Sequence, residues 1–218
     1  MLQMSGKYTV NCSLHELAYS SHNMNNKALF NDNELIETCI SSEVMASGGM
    51  LTARRDQVQL PNGATSQREY VIHPGAVVVV AILDNGNLVL ERQFRYPLNR
   101  VFIELPAGKI DHGEAPLLTG QRELLEETGY SADEWVYLGL QHPCIGYSNE
   151  VIHMYLARGL VLGEHKRDED EALQLFDASL EESLAMVQRG EITDGKTIVA
   201  LMWAEKFLQG SWQPPAPK

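Results

Sequence analysis

The stretch Gly108–Tyr130 reads GKIDHGEAPLLTGQRELLEETGY and carries three carboxylates, Glu123, Glu126 and Glu127, within little more than one helical turn. At about 100° per residue, these three side chains project from one face of a helix. Like charges at helical spacing destabilise a helix by about 0.2–0.5 kcal/mol per pair. Mg²⁺ prefers oxygen ligands and is commonly held by one or two carboxylates together with substrate phosphates. The pattern therefore predicts a helix that presents a divalent-cation site.

Local signals predict where this helix begins and ends. Pro116 suits the first helical turn, where its missing N–H is not needed, and Gly129 suits a left-handed position after the last turn. Arg122 stands four residues before Glu126 and is predicted to brace it. The alternative interpretation is a solvated acidic face on an ordinary surface helix.

Nine positions of the stretch fit the pattern G-x5-E-x7-R-E-U-x-E-E-x-G-U, in which U is a bulky apolar residue. They are Gly108, Glu114, Arg122, Glu123, Leu124, Glu126, Glu127, Gly129 and Tyr130. This pattern resembles the Nudix box. Three flanking segments, HPGAVVVV (73–80), ERQFRY (91–96) and ELPAGKID (104–111), resemble the ADP-ribose pyrophosphatase branch of that superfamily. The likeness covers about residues 35–208.

The resemblance implies an enzyme that uses Mg²⁺ or Mn²⁺ to hydrolyse the pyrophosphate bond of ADP-ribose or a related ADP-sugar, giving AMP and a sugar 5-phosphate. It implies metal ligation by Glu123, Glu126 and Glu127 and by the carbonyl of Ala107. Glu114 precedes the helix, and we expect it to tie down the loop rather than bind metal, because acids at helix starts usually cap or favour the helix dipole.

The resemblance also implies that the general base is a glutamate from a later mobile loop. The charged loop 163–171 is the best source of such a residue, although runs of this kind are usually solvated. Glu171 is favoured over Glu169 because it directly precedes the apolar segment ALQLF.

Substrate contacts are predicted from charged residues on strands. Arg95 matches the arginine that the family uses on the diphosphate, and a guanidinium fork suits phosphate oxygens; the alternative is a surface cation. Glu104 is predicted to touch the ribose end or to orient Arg95. Arg68 and Glu69 are candidates for the nucleoside end, with a strand-face ion pair as the alternative.

The segment HPCIGYSNE (142–150) departs from the family at one place. The ADP-ribose branch often has a proline at the position of Ile145, whereas Pro143 stands two residues earlier here. Glu150 still fits the remainder of that motif and is predicted to contact substrate. The departure keeps other substrates open, namely a GDP-sugar or a dinucleotide, and the non-enzymatic alternative is a nucleotide-sensing module.

The apolar pattern predicts an α/β fold with a mixed sheet between helices over residues 73–210, and the resemblance implies that it is the Nudix-type α/β/α sandwich. AVVVVAIL (76–83) is a buried strand, and Asp84–Asn87 signals a hairpin after which NLVLERQFR pairs back. Four later strands and two capped helices follow. They are VFIEL, WVYLGLQ, EVIHMYLAR and ALQLF, then a helix capped by Ser179 and one from Asp194 through Phe207.

The residues before 73 and after 210 are predicted to lie outside the main domain. Residues 1–33 have no clear period and read as a poorly ordered extension, with Met24 as an alternative start. Residues 34–72 read as a small antiparallel β unit, which the resemblance places at a homodimer interface that helps form the substrate pocket. The alternative is a plain edge hairpin. Residues 211–218 are a tail.

Composition narrows the function classes. The 218 residues are 44% hydrophobic, enough for a sizeable core. A net charge of −12 argues against nonspecific binding to nucleic acid or to an anionic membrane. Three cysteines without metal-type spacing suggest thiols in a reducing compartment, and the chain shows neither a secretory signal nor a membrane-length apolar run. A cytoplasmic enzyme with a small-molecule substrate is therefore predicted.

Overall fold

The computed structural model describes residues 31–163 and 172–215, which fall into two compact units. The first unit comprises 31–73 with 146–149, and the second comprises the rest of the described chain. The predicted extension before residue 31, the residues after Gly163 in the charged loop and the end of the predicted tail lie outside the described residues.

The first unit is built on a three-stranded antiparallel sheet in the order β1-β2-β3. Its strands are β1 (Thr38–Ser47), β2 (Thr52–Gln59) and β3 (Thr65–Ile72). The turn between β2 and β3 falls at the predicted Pro-Asn-Gly, where the Gly63 N–H donates to the Leu60 carbonyl at 2.9 Å. These two strands pair in full register, from Thr52 opposite Ile72 to Gln59 opposite Thr65.

A four-stranded mixed sheet in the order β7-β4-β9-β8 lies at the centre of the second unit. Its strands are β4 (Ala76–Ala81), β7 (Ala107–Lys109), β8 (Tyr130–Gln141) and β9 (Ile152–Leu162). β4 runs parallel to β9, whereas the β4–β7 and β8–β9 pairs are antiparallel. The mixed sheet confirms the prediction.

A second, antiparallel sheet corrects one predicted pairing. It has the order β10-β5-β6. Its strands are β5 (Leu88–Arg95), β6 (Arg100–Glu104) and β10 (Leu173–Ala178). The predicted turn does form, since the Leu83 N–H donates to the Asn87 carbonyl at 2.8 Å, but β5 does not pair back along β4. Only the Ile82–Leu88 bridge joins them, because β7 and β9 already occupy both edges of β4.

The three α-helices of the described residues begin and end close to the predicted positions. They are α1 (Pro116–Thr128), α2 (Leu180–Gln188) and α3 (Gly195–Leu208). Gly129 takes φ 76° after α1, and Ser179 and Asp194 accept backbone N–H bonds at the starts of α2 and α3. Within the described ranges, no helix is both long and apolar enough to cross a membrane.

Helices α1 and α3 cover opposite faces of the four-stranded sheet. Alternate residues of β4 point to opposite faces, so that Val77 and Val79 pack in one cluster with Leu124 of α1. Val78 packs in the other cluster with Leu201 of α3. Full burial of each such aliphatic side chain contributes about 1.5–3 kcal/mol. The arrangement confirms the α/β/α sandwich and holds α1 firmly against the sheet.

Candidate active site

A glycine on β7 lets a carboxylate of α1 lie directly over the strand. A Cβ built on Gly108 would stand 1.9 Å from Cδ of Glu123, so that any side chain at residue 108 would displace this carboxyl group. Glu123 is only 8% exposed. The glycine of the predicted motif therefore makes room for one of its acids.

The neighbouring residue of β7 contacts a second acid. The Ala107 N–H donates to Oε2 of Glu127 at 3.0 Å, and Glu127 is 2% exposed. The backbone of Ala107 and the carboxylates of Glu123 and Glu127 are thus brought to one place, as the predicted ligand set requires. Glu126 lies on the more exposed side of α1.

Arg122 is the centre of the acid cluster. Its Nη1 donates to Glu123 at 2.8 Å and to Glu126 at 3.0 Å, and its Nη2 donates to Glu114 at 2.9 Å. Nη2 also donates to the Lys109 carbonyl oxygen at 3.2 Å. The sequence predicted only the bond to Glu126. These hydrogen bonds and the nearby carboxylates raise the pKa of Arg122.

Glu114 holds the loop before α1, as predicted. It accepts hydrogen bonds from the Arg122 guanidinium, from the Thr119 hydroxyl at 2.8 Å and from the Asp111 N–H at 3.3 Å. The hydrogen bond from Arg122 is the largest cause that lowers the pKa of Glu114, to about 2. Glu114 is therefore ionised near neutral pH, and its carboxylate oxygens already accept hydrogen bonds from the loop and from α1.

The donor set suits a divalent cation, although the present side-chain arrangement does not form a complete site. Within the described ranges, no group of three or more His, Cys, Asp or Glu residues is arranged to hold a metal ion. In this arrangement Arg122 forms ion pairs with Glu123 and Glu126. Carboxylate oxygens are the ligands that hard cations prefer. To bind a metal ion, the carboxylates of Glu123 and Glu126 would have to rotate away from Arg122.

Replacing Gly108 with alanine is expected to disturb the metal site without unfolding the protein. The new Cβ would displace only the flexible end of Glu123, so that the melting temperature should change little. The Mg²⁺ concentration for half-maximal activity should rise about tenfold or more, as it does when residues supporting a metal ligand are lost. Magnesium titrations of the activity measure this. Gly49→Ala is the control, because a Cβ there meets open space; an unchanged magnesium requirement in Gly108→Ala would contradict the assignment of Glu123.

A second charged group lies on the sheet formed by β5 and β6. Arg95 forms two parallel hydrogen bonds with Glu104, from Nε to Oε1 and from Nη2 to Oε2, both at 2.8 Å. The Glu104 side chain is 2% exposed and that of Arg95 is 40% exposed. The bond to Glu104 is the main cause that raises the pKa of Arg95. These bonds fit the second of the two predicted roles of Glu104, and its predicted substrate contact stays a prediction.

Sequence reasoning missed two other neighbours of Glu104, Lys196 and Glu91. Lys196 of α3 contacts Glu104 and lies 3.0 Å from Asp194, and Glu91 of β5 stands directly opposite Glu104. Burial acts to raise the pKa of Glu104, but the hydrogen bonds and charges of Arg95 and Lys196 outweigh it and lower this pKa. The sequence did contain one signal, which is the position of Lys196 in the first turn of α3. A positive charge there is unfavourable beside the helix dipole, and a nearby acid would offset it.

The other predicted substrate residues are placed in different surroundings. In the first unit, Arg68 forms an ion pair with Glu37 at 2.5 Å, and Glu69 forms one with Arg55 at 2.7 Å. These ion pairs match the alternative interpretation of strand-face charges. Glu150 belongs to the second unit, where one residue separates it from the start of β9. Its predicted substrate contact stays a prediction.

The two candidates for the general base, Glu169 and Glu171, lie outside the described residues. The described chain resumes at residue 172, immediately before β10. β10 pairs along β5, with Leu173 opposite Gln93. The described chain thus resumes on the sheet that also carries Arg95, and the role of Glu169 or Glu171 stays a prediction.

Comparisons with known proteins agree on the region. The model of the NUDIX domain matches residues 72–201. An ADP-ribose pyrophosphatase of Bacillus subtilis (strain 168) is 40% identical over 173 residues, 78% of this chain and 94% of the relative. A methanol dehydrogenase activator of Bacillus methanolicus is 41% identical over 173 residues, 78% of this chain and 92% of the relative. The crystal structure of an ADP compounds hydrolase has a similar fold, with a TM-score of 0.73 and 23% identity over 80% of this chain and 95% of that one.

Proposed function

This chain belongs to the Nudix hydrolase family, and on that premise we propose that it hydrolyses the pyrophosphate bond of ADP-ribose or a related ADP-sugar. Nudix hydrolases act on small nucleoside diphosphate substrates with the help of divalent metals. The observation that carries the proposal is the pair of buried acids, Glu123 and Glu127, held against Ala107 and Gly108. The similarity to an ADP-ribose pyrophosphatase supports the choice of substrate.

The proposed metal is Mg²⁺, with Mn²⁺ as the alternative, ligated by the Ala107 carbonyl and by Glu123, Glu126 and Glu127. When bound, it neutralises phosphate charge and lowers the pKa of water. The present contacts of Glu123 and Glu126 with Arg122 would be exchanged for contacts with the cation. Arg122 would keep its bonds to Glu114 and so hold the loop in place during the reaction.

The remaining proposed steps belong to residues outside the acid cluster. The Nη1 edge of Arg95 points away from Glu104 and is proposed to donate to phosphate oxygens of the substrate. Glu171, with Glu169 as the alternative, takes a proton from the attacking water. The water oxygen bonds to one phosphorus, and the bridging P–O bond breaks. The products are AMP and a sugar 5-phosphate.

Ile145 supports keeping another nucleoside diphosphate substrate, such as a GDP-sugar or a dinucleotide, as the second candidate. It stands in the 142–150 segment where the ADP-ribose branch often has proline, and its side chain is exposed. Measurement of kcat/KM for ADP-ribose, GDP-mannose and a dinucleotide under the same Mg²⁺ concentration separates the candidates. We expect the highest value for ADP-ribose; a higher value for GDP-mannose would move the proposal to the second candidate.

A homodimer is the proposed assembly. β1 of the first unit exposes the large apolar side chains of Ile40, Val44 and Met45, and exposed apolar surface favours a covering partner. A second copy of the same chain is the commonest partner. Light scattering at micromolar concentration should give about twice the 24.3 kDa of one chain. A monomeric mass under those conditions would contradict the proposal.

The cytoplasm is the proposed location. The proposal rests on the three cysteines of the sequence, whose odd number and lack of metal-type spacing favour thiols in a reducing compartment.

A further inference from the structure

Four charged residues of alternating sign form a continuous group within the second unit. Arg95 binds Glu104 through two hydrogen bonds, Glu104 contacts Lys196, and Lys196 binds Asp194 at 3.0 Å. The exposed fraction falls to 14% for the Lys196 side chain and 2% for that of Glu104. The predicted phosphate-binding arginine is therefore linked through Glu104 to the first turn of α3.

Lys196 brings a second positive charge to Glu104, beside that of Arg95. Glu104 stands directly opposite Glu91 in the β5–β6 register, and directly opposed residues of two strands project to the same face. Both glutamates are buried, and like charges in a buried site are costly unless cations offset them. Lys196 is placed to offset this charge because it contacts Oε2 of Glu104, the oxygen that also accepts from Nη2 of Arg95.

The position of Lys196 relative to Glu104 is fixed by two neighbouring hydrogen bonds. Asp194 caps α3 by accepting from the Thr197 N–H at 3.0 Å. The Thr197 hydroxyl oxygen accepts from the Leu105 N–H at 3.0 Å, and Thr197 is fully buried. The end of β6 and the first turn of α3 are thus tied together next to the ion pair.

We infer that Lys196 is a positioning residue for substrate binding: by holding Glu104, it keeps the Arg95 guanidinium in the orientation that presents its Nη1 edge to a diphosphate. Without the ammonium group, Glu104 would lose one of the two cations that hold it, and the orientation of its two hydrogen bonds with Arg95 would be less well fixed. The substrate would then meet an arginine whose Nη1 edge is less well oriented. The inference rests on the proposed function, because it takes the diphosphate as the ligand of Arg95.

Lys196→Met tests the inference, with Lys206→Met as the matched control on the last turn of the same helix, where the lysine is exposed. We expect KM for ADP-ribose to rise about tenfold in Lys196→Met, in line with the loss of a charged contact, while kcat changes less than about threefold. Lys206→Met should leave both constants unchanged. Lys196→Arg keeps the positive charge and should restore KM to within about threefold of the original protein.

A second readout needs no substrate. Hydrogen exchange at the Arg95 Nε–H, followed by ¹⁵N NMR, should be faster in Lys196→Met than in the original protein and in Lys206→Met, because the bond to Glu104 is less well held. If Lys196→Met does not fold, Lys196→Gln, which still offers an N–H donor, takes its place in both measurements.

The two readouts separate the possible failures. Hydrolysis of none of the nucleoside diphosphates by the original protein would refute the proposed function, whereas the exchange rate of Arg95 would still report on its positioning. Unchanged KM in Lys196→Met, with or without faster exchange, would overturn the inference. Lower thermal stability with unchanged KM would assign Lys196 to the fold alone.

Discussion

Glu127→Gln is expected to lower kcat by a factor of at least about 10³, because the charge it removes acts on the transition state through the bound cation. The fold should persist. Glu127 is buried and accepts from the Ala107 N–H, and the amide oxygen of glutamine can accept the same hydrogen bond. Loss of one negative charge from the acid cluster should leave the melting temperature unchanged or slightly higher. Steady-state kinetics and thermal unfolding together measure both effects.

The matched control for this substitution is Glu181→Gln, which removes the same charge from an exposed position in the first turn of α2. It should leave kcat unchanged. A Glu127→Gln protein with nearly normal kcat at saturating Mg²⁺ would refute the assignment of Glu127 as a metal ligand. Activity lost together with the fold would be visible in the unfolding curve and would instead show a structural role.

Glu171→Gln is expected to lower kcat by about 10²–10⁴-fold with little change in KM, since a general base acts in the chemical step rather than in binding. Glu169→Gln is the matched comparison, because it makes the same change two residues away in the same charged segment. Its effect should be much smaller. Full steady-state constants at one pH and saturating Mg²⁺ distinguish the two.

Two other outcomes would revise the base. If Glu169→Gln has the larger effect, the alignment of this loop with the family is displaced by two residues. If neither substitution slows the reaction, the base lies elsewhere, and a glutamate of α1 or a metal-bound hydroxide alone becomes the better account.

The helices were predictable because the signals that begin and end them are local. Pro116, Gly129, Ser179 and Asp194 each act within a few residues of their own position, and the structure places each where the sequence indicated. The face shared by Glu123 and Glu127 follows from the helical repeat in the same way. The acid cluster was therefore visible before any tertiary contact was known.

The pairing of the strands and the contact between Lys196 and Glu104 were not predictable from local signals. The tight turn after β4 suggested a hairpin, but the pairing depends on which strands lie at the two edges of β4. One of these strands is β9, which is far from β4 in the sequence. Lys196 is 92 residues from Glu104, so that no local pattern joins them. The space over Gly108 likewise depends on how α1 packs on β7.

Incubation of the original protein with ADP-ribose and Mg²⁺, followed by identification of the products, tests the central claim most directly. The account predicts AMP and ribose 5-phosphate in equal amounts, no reaction when EDTA removes the metal, and recovery when Mg²⁺ is added in excess. Glu127→Gln should give no more product than the reaction without metal. Intact ADP-ribose after incubation with either Mg²⁺ or Mn²⁺, or cleavage that yields ADP in place of AMP, would contradict the account.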